Sequence, residues 1–327
     1  MDKWVVDQKR MNILFVCDPL SSFHIEKDST FTMMREAQRR GHAVWACGTS
    51  DVFWQSAGQV AAHMQAIRLS GDAKDWFTVS AEETRPLHSM SAVIMRKDPP
   101  FDSEYFYATH LLSQAEREGA RVFNRAQALR EHPEKLALME FAAFASPTLV
   151  TRLPQAIREF HAQHQDIILK PLDGMGGMGI YRVKADGLNL GSIIEALNQD
   201  TRVSVMVQKF LPAIAQGDKR VLVIDGEPVP FALARIPQGN EVRGNLAAGG
   251  KGVAQPLTAR DREIAQTIGP VLAKRGLLLV GLDIIGECLT EINVTSPTCF
   301  REITDQTGFD VPAMFMDAIE RRLSATS

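Results

Sequence analysis

The sequence predicts a chain that is α/β in its first part and α+β beyond. Three observations carry this. Short apolar runs alternate with helical stretches up to about residue 130, the texture changes there, and later strands are joined by a turn of the hairpin type. At 327 residues the chain exceeds the usual size of one hydrophobic core, so two or three packed domains follow.

Residues 12–16 form an apolar run that ends at Cys17-Asp18-Pro19, and Ser29-Thr30 start a helical stretch closed by Gly41. Runs 43–47 and 92–95 read as strands, 109–118 as a helix stopped by Gly119, and 121–123 as a further strand. This alternation implies a parallel sheet, in which ligand contacts lie just beyond the carboxyl ends of the strands. Asp18, Arg96, Lys97, Asp98 and Asn124 fall there and are candidate substrate contacts.

Beyond residue 130, Pro133 opens a helix towards Phe144, a strand covers 148–151, a helix follows Pro154, and another strand covers 167–170. Runs 203–208, 219–224 and 229–234 alternate as strands, the last two joined by Asp225-Gly226, which implies an antiparallel sheet. Thr258 caps a helix ending near Gly276, 277–283 is a buried strand, and 314–323 is a terminal helix. The expected organisation is a polar extension over 1–10, an α/β substrate domain over 11–130, a small central domain over 131–204 and a C-terminal domain over 205–327.

Composition narrows the function. A formal net charge of -3 offers no polycationic surface for nucleic acid. Cys17, Cys47, Cys288 and Cys299 are scattered, without CxxC or zinc spacing, and read as reduced thiols. Residues 1–10 lack the apolar core of a signal peptide, and no run approaches the roughly 18 apolar residues of a membrane span, so a cytoplasmic protein without membrane contact is expected.

Gly174-Met175-Gly176-Gly177-Met178-Gly179 fits the string GxGxxG, but it leads into the β-like run Ile180-Tyr181-Arg182-Val183 and not into a helix. The loop therefore joins two antiparallel strands. A glycine-rich hairpin lets backbone N–H groups approach phosphate oxygens, and Lys170 and Lys135 add ammonium groups nearby. The HRD and DFG elements of protein kinases and the GxxxxGK[ST] of P-loop enzymes are absent.

Asp283 and the segment Glu291-Ile292-Asn293 flank a turn at Gly286. Glu291 and Asn293, two apart, share a face, and the turn brings Asp283 across the ladder, which groups hard oxygen ligands as magnesium requires. Buried carboxylates without cations would be costly, so a metal is the expected account; Glu287, in the turn, is expected to be solvated. The glycine-rich loop 237–252 is long for an idle connection and suggests an active-site cover with Arg243 as its working residue.

These three elements together resemble the ATP-grasp superfamily. The strings Arg96-Lys97-Asp98-Pro99-Pro100-Phe101-Asp102, Lys170-Pro171-Leu172-Asp173-Gly174-Met175-Gly176-Gly177 and Asp225-Gly226-Glu227-Pro228-Val229-Pro230, with residues 290–299, resemble bacterial glutathione synthetases from about Met11 onwards. The resemblance implies an ATP-grasp fold in which 131–204 is the lid and 205–327 the catalytic domain. It implies ATP-dependent ligation of γ-glutamylcysteine to glycine with Mg2+, or with Mn2+ in its place, in a homotetramer. It further implies that Lys135, Lys170, Asp173, Gly174, Gly176 and Gly177 bind nucleotide, and that Gln208, Lys209, Phe210 and Leu211 border adenine. Asp218 and Arg220 would line the site, Arg220 with Lys170 and Arg243 in catalysis, and Asp283, Glu291 and Asn293 would ligate metal. Asp18, Arg96, Asn293, Ser296 and Arg301 would hold the dipeptide. Another ATP-grasp carboxylate–amine ligase, or a non-catalytic ATP-binding protein of the synapsin kind, would share the fold and part of this pattern.

Overall fold

The computed structural model describes residues 10–239 and 241–325; most of the expected polar extension, and Asn240 of the second loop, lie outside them. Three sheets organise the chain. The first is built from β1 (Asn12–Val16), β2 (Ala43–Cys47), β3 (Val52–Phe53), β4 (Ala61–Leu69), β5 (Phe77–Pro86), β6 (Ala92–Met95) and β7 (Val122–Phe123), with α1 (Ser29–Arg39) and α2 (Ser103–Arg117) as crossovers. Its order is β3-β4-β2-β1-β6-β7, with β5 on β4. The four strands β2, β1, β6 and β7 are parallel and buried, as expected. The sheet is nevertheless mixed, because β4 pairs antiparallel with β2, β3 and β5. The β4/β5 hairpin escaped the sequence reading because β5 is polar and largely exposed along its length.

Local chemistry sets the helix starts. Asp28, and not Ser29 or Thr30, caps α1 by accepting from Phe31 N at 2.7 Å. Asp102 caps α2 in the same way, so that helix begins at Ser103, six residues before the predicted start. The helix expected after Pro133 is instead α3 (Ala126–Glu131) followed by a kinked 3₁₀ segment, Leu136–Phe144, with Phe141 at non-helical dihedrals.

The second sheet is antiparallel in the order β10-β9-β11-β8, from β8 (Thr148–Thr151), β9 (Ile167–Pro171), β10 (Tyr181–Val183) and β11 (Val205–Lys209). Helices α4 (Pro154–His164) and α5 (Leu190–Asn198) pack on it, and Ile157, Leu169, Ile194 and Val205 belong to a small core of its own. The strand at 205–209 sits inside this sheet, between β9 and β8, although the sequence reading grouped it with the C-terminal strands.

The third sheet, order β14-β13-β12-β15-β16, is also antiparallel. Its strands are β12 (Asp218–Ile224), β13 (Glu227–Ile236), β14 (Lys251–Pro256), β15 (Leu279–Ile285) and β16 (Cys288–Asn293). Asp225 and Gly226 both take positive φ between β12 and β13, as a tight hairpin of this kind demands. Thr258 and Asp261 form a capping box on α6 (Ala259–Lys274). Helices α7 (Phe300–Thr307) and α8 (Val311–Ser324) close the chain against α1, so residues of the first and third sheets share continuous cores. Among the described residues no helix is long and apolar enough to cross a membrane.

Candidate active site

The third sheet forms a charged floor. Register places Arg220 opposite Asp283 and Asp218 opposite Arg235, so all four side chains stand on one face. Arg220 Nε donates to Asp283 Oδ1 at 2.6 Å and its Nη2 to Oδ2 at 3.2 Å. Arg235 Nη2 donates to Asp218 Oδ2 at 2.6 Å and lies 2.8 Å from Asp283 Oδ2. All four are buried. Burial alone would raise the Asp283 carboxyl, but the two guanidiniums overcome it and hold the group well below the usual carboxylate range. Burial pushes Asp218 up to about 6; Arg235 opposes this, and the neighbouring Asp283 adds to it.

One wall comes from the lysines. Lys135 Nζ donates to Gly174 O at 2.8 Å and to Glu291 Oε1 at 3.1 Å. Lys170, on β9, is buried and its Nζ lies 3.4 Å from Thr290 O; burial lowers its pKa against the opposing pull of Glu291. Glu291 faces Asp283 directly in the β15/β16 ladder, which shifts register just after. Asn293 Nδ2 donates to Gly281 O at 3.2 Å.

The two glycine-rich loops meet as the roof. Arg243 Nη1 donates to Gly177 O at 3.3 Å, and its Nε donates to Glu241 at 2.7 Å. Gly177 has φ +84, and a Cβ there would fall 2.8 Å from Asn245 Oδ1, so any other residue at this position is strained and makes the Asn245 side chain shift where the flap meets the second loop.

Floor, wall and roof enclose a cleft of about 300 Å³. Of the predicted residues, Asp98, Lys135, Lys170, Gly174, Gly176, Gly177, Gln208, Lys209, Phe210, Leu211, Asp218, Arg220, Arg243, Asp283, Glu291, Asn293 and Ser296 line it. Six predicted contacts, Asp18, Arg96, Lys97, Asn124, Asp173 and Arg301, do not line it. Asp173 lines a neighbouring cavity under Leu172. Asp18 accepts from Lys97 Nζ and Asp98 N and faces a separate hollow beside β4 and β5. Arg96 is buried, donating to Thr30 Oγ1 and Pro297 O, and Arg301 donates to Ile25 O and pairs with Asp305. Asn124 is consumed structurally: its amide bonds Leu279 O, Val294 O and Leu279 N, tying β7 to the third sheet.

The structure also corrects the argument for a metal. The carboxylates already meet positive charge, buried Asp283 from Arg220 and Arg235 and half-buried Glu291 from Lys135. Among the described residues no three His, Cys, Asp or Glu side chains come together as a metal-binding group. The donor set nevertheless fits a hard divalent cation: two carboxylates and one amide share the cleft, and the adjacent Asp218 Oδ1 is buried without a partner. Arg235 and Glu134 also line the cleft and were not foreseen. Arg235 lies one residue past the predicted end of its strand, and only the register with Asp218 marks it. Glu134 precedes Lys135 but carries no local signal.

Comparison with known proteins agrees with this geometry. The prokaryotic glutathione synthetase N-terminal domain model matches residues 11–130, and the ATP-grasp domain model of the same family matches 134–308. The chain is 57% identical over 317 residues to the glutathione synthetase of Ralstonia nicotianae, covering 97% of this chain and 98% of the relative. It is 52% identical to that of Nitrosomonas europaea, covering 96% and 99%. Among solved structures, the D-cycloserine synthetase DcsG matches with TM-score 0.66 at 14% identity, covering 95% of this chain and 99% of that one, a likeness of fold alone. Two family domains in sequence, and relatives more than half identical along almost their whole length, lead to one assignment: the chain belongs to the prokaryotic glutathione synthetase family, ligases of the ATP-grasp fold.

Proposed function

We propose that the cleft uses ATP to activate the carboxylate of γ-glutamylcysteine and joins it to glycine. The observation that carries this reading is the convergence of two lysines, a glycine hairpin, an arginine-bearing loop and a carboxylate–amide set on one cleft from four separate parts of the chain. The substrate carboxylate attacks the γ-phosphorus of ATP and ADP departs, leaving an acyl phosphate. The glycine amine then attacks the acyl carbon, the C–O bond to phosphate breaks, and the amide remains.

No protein nucleophile is needed for this sequence, so the residues act by position and charge. Lys135 and Lys170 meet the phosphates, with the backbone N–H groups of 174–177 above them. Gln208, Lys209, Phe210 and Leu211 border the base. Arg220 and Arg235 lock Asp283 in its ionised form, and Arg243 brings a guanidinium from the roof to the charge that develops on the transferred group. Asp283, Glu291 and Asn293 would hold magnesium, or manganese in its place. When bound, such an ion neutralises phosphate charge and orients the oxygens to which it binds. Asn293 and Ser296 face the acid substrate. The roof excludes water from the acyl phosphate, so deletion of 237–252 should uncouple ATP hydrolysis from ligation; tight coupling in that deletion would remove the cover role.

The reading includes a cytoplasmic enzyme assembled from several copies. Trp54, Phe106 and Tyr107, all exposed, support contact between copies, and light scattering of the purified protein tests it.

The direct test of the reaction measures ADP release with ATP and magnesium, adding γ-glutamylcysteine and glycine separately and then together. Release that needs both establishes the ligation. Release of equal rate without either, or none with both, would overturn it.

A further inference from the structure

Glu134 has no part in the chemistry above, yet its carboxylate and backbone tie the end of β16 and the segment after it to the start of the lysine wall. Its Oε1 accepts three hydrogen bonds, from Val294 N at 2.9 Å, Thr295 N at 3.0 Å and Thr295 Oγ1 at 2.8 Å. Its backbone carbonyl accepts from Ile292 N at 3.1 Å. The next side chain, Lys135, binds Gly174 O and Glu291. One dipeptide thus grips the glycine flap, the end of β16 and the segment that follows it.

The segment held in this way carries Asn293 on one side and Ser296 on the other. It leaves the sheet at Asn293, so Val294 N and Thr295 N have no ladder partner from β15. Backbone donors without a ladder must be met otherwise, and a carboxylate oxygen does so with charge-assisted bonds about twice as strong as neutral ones. Without that oxygen the segment keeps the Asn124 bond to Val294 O but loses every bond to these two N–H groups.

We infer that Glu134 is a positioning residue: its carboxylate clasps Val294 and Thr295 so that Asn293 and Ser296 are presented to the acid substrate at a fixed height above the floor. Lys135 keeps its own partners, Gly174 and Glu291, and these do not pass through the clasp. Loss of the clasp therefore falls more heavily on the acid than on ATP, whose lysine wall stays in place. This inference rests on the reading that Asn293 and Ser296 face the acid.

The test uses the full-length enzyme with Glu134→Ala, Glu134→Gln and Asn293→Ala. In Glu134→Ala, kcat/KM for γ-glutamylcysteine should fall about 10- to 100-fold, the worth of one or two charge-assisted bonds, while KM for ATP, which Asn293 reaches only through the metal set, rises by a clearly smaller factor. Glu134→Gln keeps a side-chain oxygen acceptor and should recover most of the loss. Independently of turnover, amide exchange at Val294 and Thr295 should accelerate in Glu134→Ala while the strands of the third sheet keep their protection. Unchanged exchange at these two amides would overturn the clasp. Faster exchange with an unchanged kcat/KM for the acid would overturn the positioning role, as would equal damage to ATP and acid in the alanine and glutamine variants alike. Asn293→Ala separates the underlying reading: an unchanged KM for the acid there, with faster exchange in Glu134→Ala, removes the substrate assignment and leaves the clasp standing.

Discussion

The floor and the roof of the cleft hold their guanidinium groups in opposite ways. On the floor, Arg220 and Arg235 are buried, held by cross-strand register and bonded to Asp283 and Asp218. On the roof, Arg243 extends from a loop and its partners are Glu241 and a glycine carbonyl. A buried guanidinium is fixed by the whole sheet and is costly to disturb; a half-buried one on a loop, like that of Arg243, depends on loop contacts and is free to change them. The contrast teaches that the fold devotes its stability to the floor and leaves the roof to respond to ligand. Floor changes should therefore damage folding and catalysis together, and roof changes catalysis alone.

Asp283→Ala tests this most severely. It leaves Arg220 and Arg235 buried with one acceptor fewer, so unfolding free energy should fall by about 3–5 kcal/mol and ADP release by roughly a thousandfold or more. Denaturant titration and the coupled assay check both, and a variant of normal stability would break the contrast.

Asp218 sharpens it through pH. Its folded pKa of about 6 stands above its ordinary 3.8, so the folded state binds the proton more tightly than the unfolded chain does. The stability this confers is full below pH ~4 and is lost as pH rises towards ~6, by at most about 3 kcal/mol. The depressed Asp283 acts in the reverse sense, losing its contribution only as pH falls below the ordinary carboxylate range. Asp218→Asn should flatten the stability profile between pH 4 and 6; an unaltered slope there would assign that window to other carboxylates.

On the roof, Arg243→Ala should lower kcat about 10- to 100-fold while moving the melting temperature by no more than ~1 °C. A large drop in melting temperature would place this residue with the floor. The smallest effect is expected from Gly177→Ala, which meets both its left-handed φ and the Asn245 contact. Loss of about 5- to 10-fold in kcat, with unchanged unfolding, is the expected result, and steady-state kinetics beside a melting curve read it.

Much of this arrangement could be read from the chain. The parallel strands β1, β2 and β6 appear as apolar runs because both their faces are buried, and the Asp225-Gly226 turn announces its hairpin. The glycine loop was distinguishable from a dinucleotide turn because a β-like run follows it. The β4/β5 hairpin was not legible, since one polar strand gives no periodic signal. Nor was Arg235, whose meaning comes entirely from the strand beside it, or the role of Asn124, whose strand-end position suggests ligand contact while its amide is spent on backbone groups of the third sheet.

By itself the sequence determined most of the glycine, lysine, arginine and carboxylate residues that line the cleft, because their chemistry is carried by local strings. Tertiary structure alone decided how they share charge. Asp283 and Asp218 are both buried aspartates in apolar strands, yet one is held ionised and the other is pushed towards its neutral form. The reason is physical: the field at a buried group is set by charges one strand away, and spacing along the chain does not contain that distance.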